Sequence, residues 1–339
     1  MFKRFLTYYF LIVPILYACT KSDNFKTQLE GDKIRYPKGF PVIEFPSDNA
    51  YSKKKWALGK RLFYDPTLSI DSTVSCSSCH MAQYGFSDKM KTSPGVYNRP
   101  GTQNTPSLAN VAYHPYYTRA GGVPSLEMQV LVPIQEHNEF DFNIVAIQER
   151  LQNNSEYSKM SFEAYNRDID YFTIVRALAT FERSLISGNS AYDKYEYQGS
   201  KNALSSNQIS GMALFYGKAN CSSCHSGFNF TNYSFESNGI YKVYSDNGRQ
   251  RLTQETADNG KFKVPTLRNI EVTGPYMHDG SMASIDEVIE HYNKGGKAHV
   301  NKSRLIKPLG LSSSEKDNLK AFLLSLSDHE FLNNKENYK

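Results

Sequence analysis

A chain of 339 residues has room for about two domains of ~150 residues, each able to enclose a sizeable prosthetic group. Its 39 basic residues stand against 34 acidic ones, a surplus of +5. So small a surplus, with no long run of like charge, excludes a nucleic-acid-binding surface of the usual electrostatic kind.

The N-terminus carries an export pattern, Lys3-Arg4 followed by the apolar stretch Phe5–Tyr17, which is too short to cross a bilayer. Removing Lys3 and Arg4 from the 39 basic residues leaves 37 against 34, or +3. The stretch ends in Leu16-Tyr17-Ala18-Cys19, which resembles the lipobox of bacterial lipoproteins, whose cysteine is lipidated and becomes the new N-terminus. Tyr17 stands where a smaller residue is usual, and a plain secretory signal with an incidental cysteine is the other reading. The expectation is a signal peptide over residues 1–18 and a lipid anchor at Cys19. The protein would then be held on the periplasmic side of a bacterial membrane, and no second apolar run offers another membrane contact.

Residues 19–45 are polar with scattered Pro and Gly, and read as a tether plus an extended arm. Next comes Leu58–Tyr64, an apolar helix-like stretch leading through a polar loop into Cys76-Ser77-Ser78-Cys79-His80. Ile169–Ile186 places Ile174, Leu178, Phe181 and Leu185 at helical spacing. Gln198-Gly199-Ser200-Lys201-Asn202 breaks the apolar periodicity, which sets one domain over 46–200 and another over 201–330. The second repeats the pattern of the first: Gly211–Tyr216 leads into Cys221-Ser222-Ser223-Cys224-His225, 145 residues after the first motif. A repeat of that length implies two related domains rather than a solenoid. Ser284-x-x-Glu287 and Ser312-x-x-Glu315 predict capped helices, with Ile285, Val288, Ile289 and Tyr292 on one face of the first and Leu319, Phe322, Leu323 and Leu326 on one face of the second. Strand signals are few and short, so the predicted fold is mainly α.

Five cysteines in an exported chain would ordinarily suggest disulfides, but four of them fall in the C-x-x-C-H pattern of c-type haem attachment. That chemistry needs two thiols on one tight turn to add across the two vinyl groups of one porphyrin, with the adjacent histidine on iron. A redox dithiol needs no following histidine, and a zinc site pairing the two C-x-x-C motifs would leave both histidines coincidental. The expectation is two cytochrome c-like helical domains, each with one covalently bound c-type haem: Cys76, Cys79 and His80 in one, Cys221, Cys224 and His225 in the other.

The motifs Leu62-Phe63-Tyr64-Asp65-Pro66, Arg99–Ser107, Pro133–Phe140 and Val264–Ser281 make the whole chain after the signal resemble the bacterial dihaem cytochrome c peroxidases, including their MauG-like branch. The resemblance implies that the N-terminal haem binds peroxide and the C-terminal haem transfers electrons. It implies that Glu139 is the acid–base group over the peroxide haem and that Gln129 hydrogen-bonds in the same pocket. Tyr292 matches the sixth ligand of the second haem, a methionine in many peroxidases and a tyrosine in the MauG branch. Met277 or Met282 on that iron, with Tyr292 a core residue, is the alternative. His291 is turned ~100° away around the helix. Asn104, Thr273 and Pro275 match positions that bind a calcium ion between the haems, although all three could equally be turn residues. The implied partners are hydrogen peroxide and a small electron-donor protein such as a monohaem cytochrome c, and a homodimer is compatible with the family.

Two departures stand out. Val96 occupies the position of the removable histidine ligand found in peroxidases that need reductive activation. Tyr116-Tyr117-Thr118-Arg119 stands where the family carries a tryptophan, while the single Trp56 lies far off in sequence. Three functions follow: a peroxidase fed by an external donor, a MauG-like oxidase acting on a partner protein, or an electron carrier. Glu139 and Gln129 argue against the carrier, which needs no acid–base group.

Overall fold

The computed structural model describes residues 33–339. Cys19 and the export segment lie outside them. In chain order the helices are α1 (Lys53–Phe63), α2 (Cys76–Cys79), α3 (Leu126–Gln129), α4 (Leu131–Gln135), α5 (Ile144–Gln152), α6 (Ser155–Tyr165), α7 (Tyr171–Arg183), α8 (Ala191–Glu196), α9 (Ser206–Tyr216), α10 (Gln250–Thr253), α11 (Ile285–Asn293), α12 (Ser313–Leu324) and α13 (His329–Leu332). The strands among the described residues, β1 (Phe235–Glu236) and β2 (Phe262–Lys263), form one short antiparallel pair. The protein is mainly helical, and no described helix is long and apolar enough to cross a membrane.

Each half is organised on one close-packed helix pair, and the contact is set by a glycine. Gly59 of α1 lies against α7 so closely that a Cβ there would sit 1.9 Å from the Ala177 carbonyl oxygen. Gly211 of α9 meets α12 in the same way, with a Cβ placed 1.9 Å from the Asn318 carbonyl oxygen. The small residue lets the next ring interlock: Phe63 meets Phe181 at 5.0 Å between centroids, and Phe215 meets Phe322 at 5.2 Å. Two apolar clusters result. The first holds Leu58, Leu62, Ile174, Leu178 and Phe181, and the second holds Phe215, Phe230, Ile289, Leu319 and Leu323. The chain crosses between them, since Tyr192 of α8 packs in the second cluster while Phe331 and Leu332 of α13 return to the first. Residues 33–45 run without helix or strand, and Phe40 and Ile43 dock on Ile186, Tyr113 and Phe228.

The caps decide where helices begin. Ser312 and Glu315 close a reciprocal capping box on α12. At α11 only half of the predicted box forms: Ser284 accepts from the Glu287 N–H, but the Glu287 carboxylate reaches past it to the Ala283 N–H at 2.7 Å.

Between the helix pairs the backbone repeats at a constant spacing. Tyr117 bridges to Val123, and Tyr276 to Met282, with both members of the second pair 159 residues after those of the first. At the same spacing Thr118 and Met277 share left-handed backbone, as do Gly121 and Gly280, and Asn110 and Asn269. Ser125 and Ser284 cap α3 and α11 by accepting from Met128 and Glu287 N–H groups. The segment Thr105-Pro106-Ser107-Leu108-Ala109-Asn110 corresponds to Val264-Pro265-Thr266-Leu267-Arg268-Asn269. Where the two copies meet, the Asn104 N–H donates to the His278 carbonyl at 2.9 Å, and the Lys263 N–H donates to the Arg119 carbonyl at 2.7 Å. These bonds are each other's equivalents, so the seam is locally two-fold.

Candidate active site

The first C-x-x-C-H motif forms the single turn α2, capped by Ser75 and Ser78, with the His80 N–H closing on the Cys76 carbonyl at 2.9 Å. Both thiols are free, and so are those of Cys221 and Cys224. His80 Nδ1 donates to the Phe86 carbonyl at 2.8 Å, and His225 Nδ1 donates to the Phe230 carbonyl at 3.1 Å. A carbonyl only accepts, so in each ring Nε2 carries the lone pair, the arrangement an axial iron ligand needs. Phe86 and Phe230 adopt left-handed backbone to turn those carbonyls inward. Burial lowers the pKa of both imidazoles, His225 to about 4, so both are neutral at physiological pH. Burial also pushes the Cys79 thiol up to about 11 and Cys221 up to about 12.

None of these four cysteines or two histidines is fully covered. A group that is ringed by protein and yet open on one side lies in a recess. Two uncharged thiols one turn apart, a neutral imidazole with its lone pair free and a recess in front of them fit a thioether-linked haem at each motif.

Two residues matched to the pocket over the first haem lie at the end of α3 and in the turn after α4. Gln129 ends α3, and its Oε1 is buried with no donor. Glu139 is fixed by its backbone, with its N–H on the Glu136 carbonyl and its carbonyl accepting from Val96, each at 2.9 Å. Glu139 is an exposed residue, yet protein on one side of its carboxyl pushes it up to about 7, with the charge of Glu136 adding to the shift. The same carboxylate acts on both Cys76 and Cys79, which puts it on the side of the first motif. Val96 is fully buried in the first apolar cluster, and Gly95 is pressed so closely on Asn138 that a Cβ would lie 2.0 Å from its carbonyl oxygen. The segment at Val96 is therefore part of the wall that holds Glu139.

The second recess differs. Ile285 and Ile289 bury one face of α11, and Tyr292 continues that face. Burial pushes its phenol up to about 12; Asn238 partly offsets this by hydrogen bonding, and Cys221 and Cys224 add to it. His291 is committed to the backbone, with Nε2 donating to the Asn238 carbonyl at 3.0 Å. Met277 reaches the same neighbourhood, its sulfur accepting from Asn238 Nδ2 at 3.1 Å. The residue 159 positions before Tyr292 is Pro133, in α4. At this equivalent position the first half thus has a ring with no donor or acceptor where the second has a phenol.

Of the three residues matched to calcium, Asn104 is buried and tied to the 275–279 loop through the His278 carbonyl, and Thr273 lies over Gly85. The Arg119 guanidinium already takes the Asn104 carbonyl at 2.7 Å and Oδ1 at 3.1 Å. A cation thus occupies the oxygens of Asn104, one of the three matched residues. Trp56 sits on α1, bonded to Ser184 Oγ at 2.8 Å and packed on Phe181, away from the seam. Tyr116 lies at the seam, stacked on Phe235 at 5.1 Å and donating to the Tyr233 carbonyl.

Sequence reasoning missed four residues. Pro133 gains meaning only through the 159-residue correspondence. Arg119 and Lys263 lie at the seam and appear as ordinary charges in the sequence. Glu182, in the last turn of α7, is buried and pushed up to about 8 by desolvation beside Cys76.

Residues 53–202 match the family model of the di-haem cytochrome c peroxidases. The chain is 36% identical over 298 residues, 87% of its length, to the methylamine utilization protein MauG of Methylorubrum extorquens, and spans 83% of that protein. The chain belongs to the di-haem cytochrome c peroxidase family. It is also 32% identical over 323 residues to a cytochrome-c peroxidase of Pseudomonas sp., covering 86% of this chain and 85% of the relative. Among solved structures, a MauG-like protein associated with microbial copper homeostasis superposes with a TM-score of 0.84 at 32% identity, covering 88% of this chain and 96% of that one. The diheme peroxidase BthA of Burkholderia thailandensis shares the fold, with a TM-score of 0.72 at 19% identity. As a family member the chain is an oxidoreductase of the cytochrome-c peroxidase type that uses haem.

Proposed function

We propose that the protein reduces hydrogen peroxide to water at the first recess, with electrons entering from a small donor protein through the second. The observation that supports this reading is the difference between equivalent positions: Pro133 has no atom that could ligate a metal where the second half carries the phenol of Tyr292. The haems, once bound, supply the iron that takes up peroxide and the path for electrons. The overall change, H2O2 + 2H+ + 2e− → 2H2O, needs a group that removes a proton from one peroxide oxygen and returns it to the other. Glu139, with a pKa of about 7, can hold or release that proton at neutral pH. Gln129 offers an amide whose Oε1 has no other partner, and so can orient the peroxide O–H. The test is steady-state peroxide consumption with a reduced monohaem cytochrome c. No turnover above that of free haem, with both haems loaded, refutes it.

A second reading, oxidation of a residue on a partner protein as in the MauG branch, is favoured by Tyr292 beside Cys221 and Cys224. Peroxide-dependent modification of a co-purified partner, without turnover of an added cytochrome, would select it. Cys19 remains our proposed lipid anchor on the periplasmic side of the membrane. Fatty-acid labelling that survives Cys19→Ser would disprove it.

A further inference from the structure

The seam between the two halves holds two cations, Lys263 and Arg119, that no carboxylate among the described residues pairs with directly. Lys263 Nζ donates to the Tyr116 carbonyl at 2.8 Å and contacts His114 Nδ1 at 3.3 Å. Arg119 spends its guanidinium on the Asn104 carbonyl and Oδ1. Among the described residues no carboxylate lies within 4.0 Å of either cation. The two are neighbours, joined by the hydrogen bond from the Lys263 N–H to the Arg119 carbonyl, and each charge opposes the other. Asp279 and Asp246 act on Arg119 only from farther off, beyond ion-pair distance, and their oxygens are hydrogen-bonded elsewhere. Asp279 accepts from the Tyr241 hydroxyl at 2.5 Å and the Ser281 N–H at 3.1 Å, and Asp246 accepts from Gln103 Nε2 at 2.5 Å and the Gly248 N–H at 2.9 Å.

His114 sharpens the imbalance. An ammonium only donates, so His114 Nδ1 is the acceptor and Nε2 bears the proton, and that Nε2 is buried with no acceptor. Two like charges and an orphan donor in one half-buried corner are costly unless an anion completes them.

Position in the fold identifies the anion. Lys263 stands two residues before Pro265, whose carbonyl meets the His225 ring, and Asn104, gripped by Arg119, stands two residues before Pro106, whose carbonyl meets the His80 ring. Each cation is thus tied to the backbone that lines one of the two histidines. A haem carries two propionate carboxylates and must bring them into the protein. We infer that Lys263 and Arg119 bind the propionate carboxylates of the two haems, Lys263 for the haem at His225 and Arg119 for the haem at His80, so that the seam is an electrostatic clamp on both. The inference rests on the reading that each motif holds a haem.

The test is a spectroelectrochemical titration of the purified holoprotein, with haem content measured separately. Lys263→Met should keep two covalent haems and the wild-type ferric spectrum. The reduction equilibrium of the His225 haem should fall at least tenfold, or 59 mV for one electron. Its potential should also depend more steeply on pH near neutrality than the wild-type potential does, because a propionate without its cation takes up a proton on reduction. A lysine with a purely structural role would not change that slope. Arg119→Met should act in the same direction on the His80 haem. Lys263→Arg, which keeps charge and donors, should assemble with a potential within threefold of wild type. Two loaded haems with unshifted potentials and slopes in both methionine variants overturn the inference while leaving the haem reading intact. If the methionine variants do not assemble, failure of Lys263→Arg to assemble, or a shift beyond tenfold in it, overturns it. Absence of covalent haem from the wild type overturns both.

Discussion

Glu139→Gln removes one ionisable proton and almost nothing else, since the amide is isosteric and the Glu139 backbone bonds to Val96 and Glu136 remain. The surroundings of the carboxyl set the size of the effect. A pKa of about 7 means that only roughly a tenth of the molecules carry the carboxylate at pH 6 and roughly nine-tenths at pH 8. If the carboxylate is the form that takes the peroxide proton, kcat/KM for peroxide rises about tenfold across those two pH units and then levels off. The sign follows from the direction of the shift: a raised carboxyl pKa keeps the base protonated, and idle, to higher pH than an ordinary glutamate. In Glu139→Gln the rising limb disappears and turnover falls ~10²–10⁴-fold, while both haem spectra and the melting temperature stay at wild-type values. The assay is initial-rate peroxide consumption with reduced cytochrome c from pH 5.5 to 9 at constant ionic strength. A variant that loses less than threefold, or that retains the limb near pH 7, would show that another group moves the proton.

Two other expectations rest on single positions. Tyr292→Phe should alter the low-spin spectrum and raise the potential of the second haem, because phenolate ligation favours ferric iron, whereas an unchanged spectrum alongside a changed one in Met277→Ala or Met282→Ala would assign the ligand to methionine. Gly211→Ala places a Cβ 1.9 Å from the Asn318 carbonyl and should cost ~1–3 kcal/mol as α9 and α12 are forced apart, read as a lowered melting temperature. A melt that matches wild type would mean the two helices separate without penalty.

Much of the frame was legible because it depends on short-range patterns. The period of residues 169–186 gave α7, and Leu178 and Phe181 lie on its buried face; the Ser312–Glu315 box gave the start of α12. At α11 the pattern was right about the face and wrong about one bond, since nothing in Ser-x-x-Glu says whether the glutamate will choose the cap residue or the one before it. The C-x-x-C-H motifs were legible for the same reason, all their members lying within one turn. The seam was not. Its left-handed residues include Thr118 and Met277, which carry no compositional signal for such backbone, and its hydrogen bonds join residues far apart in sequence. The Pro-x-Leu-x-Asn correspondence between 106–110 and 265–269 was present in the letters, but it is short and gains weight only when the bridges and caps around it fall at the same spacing.

That correspondence makes the two halves a controlled comparison within one chain. The glycine-spaced helix pair, the histidine anchored by a turned carbonyl and the cap before the distal helix occur in both, so none of them can account for the two different jobs we propose. Among the positions that differ, three equivalent pairs change the chemistry on offer. Gln129 stands against Val288, Pro133 against Tyr292, and Asn104 against Lys263. The first set offers an amide, an inert ring and a neutral carboxamide, with Glu139 added from the turn beyond α4, which suits a recess that must admit a small polar molecule and move its proton. The second offers an apolar side chain, a phenol and a cation, which suits a recess closed to small molecules whose cofactor only changes charge. Exchanging the identities at 133 and 292 should therefore perturb the proposed division of labour more directly than any change to the shared frame, because the frame would hold a haem equally well in either half.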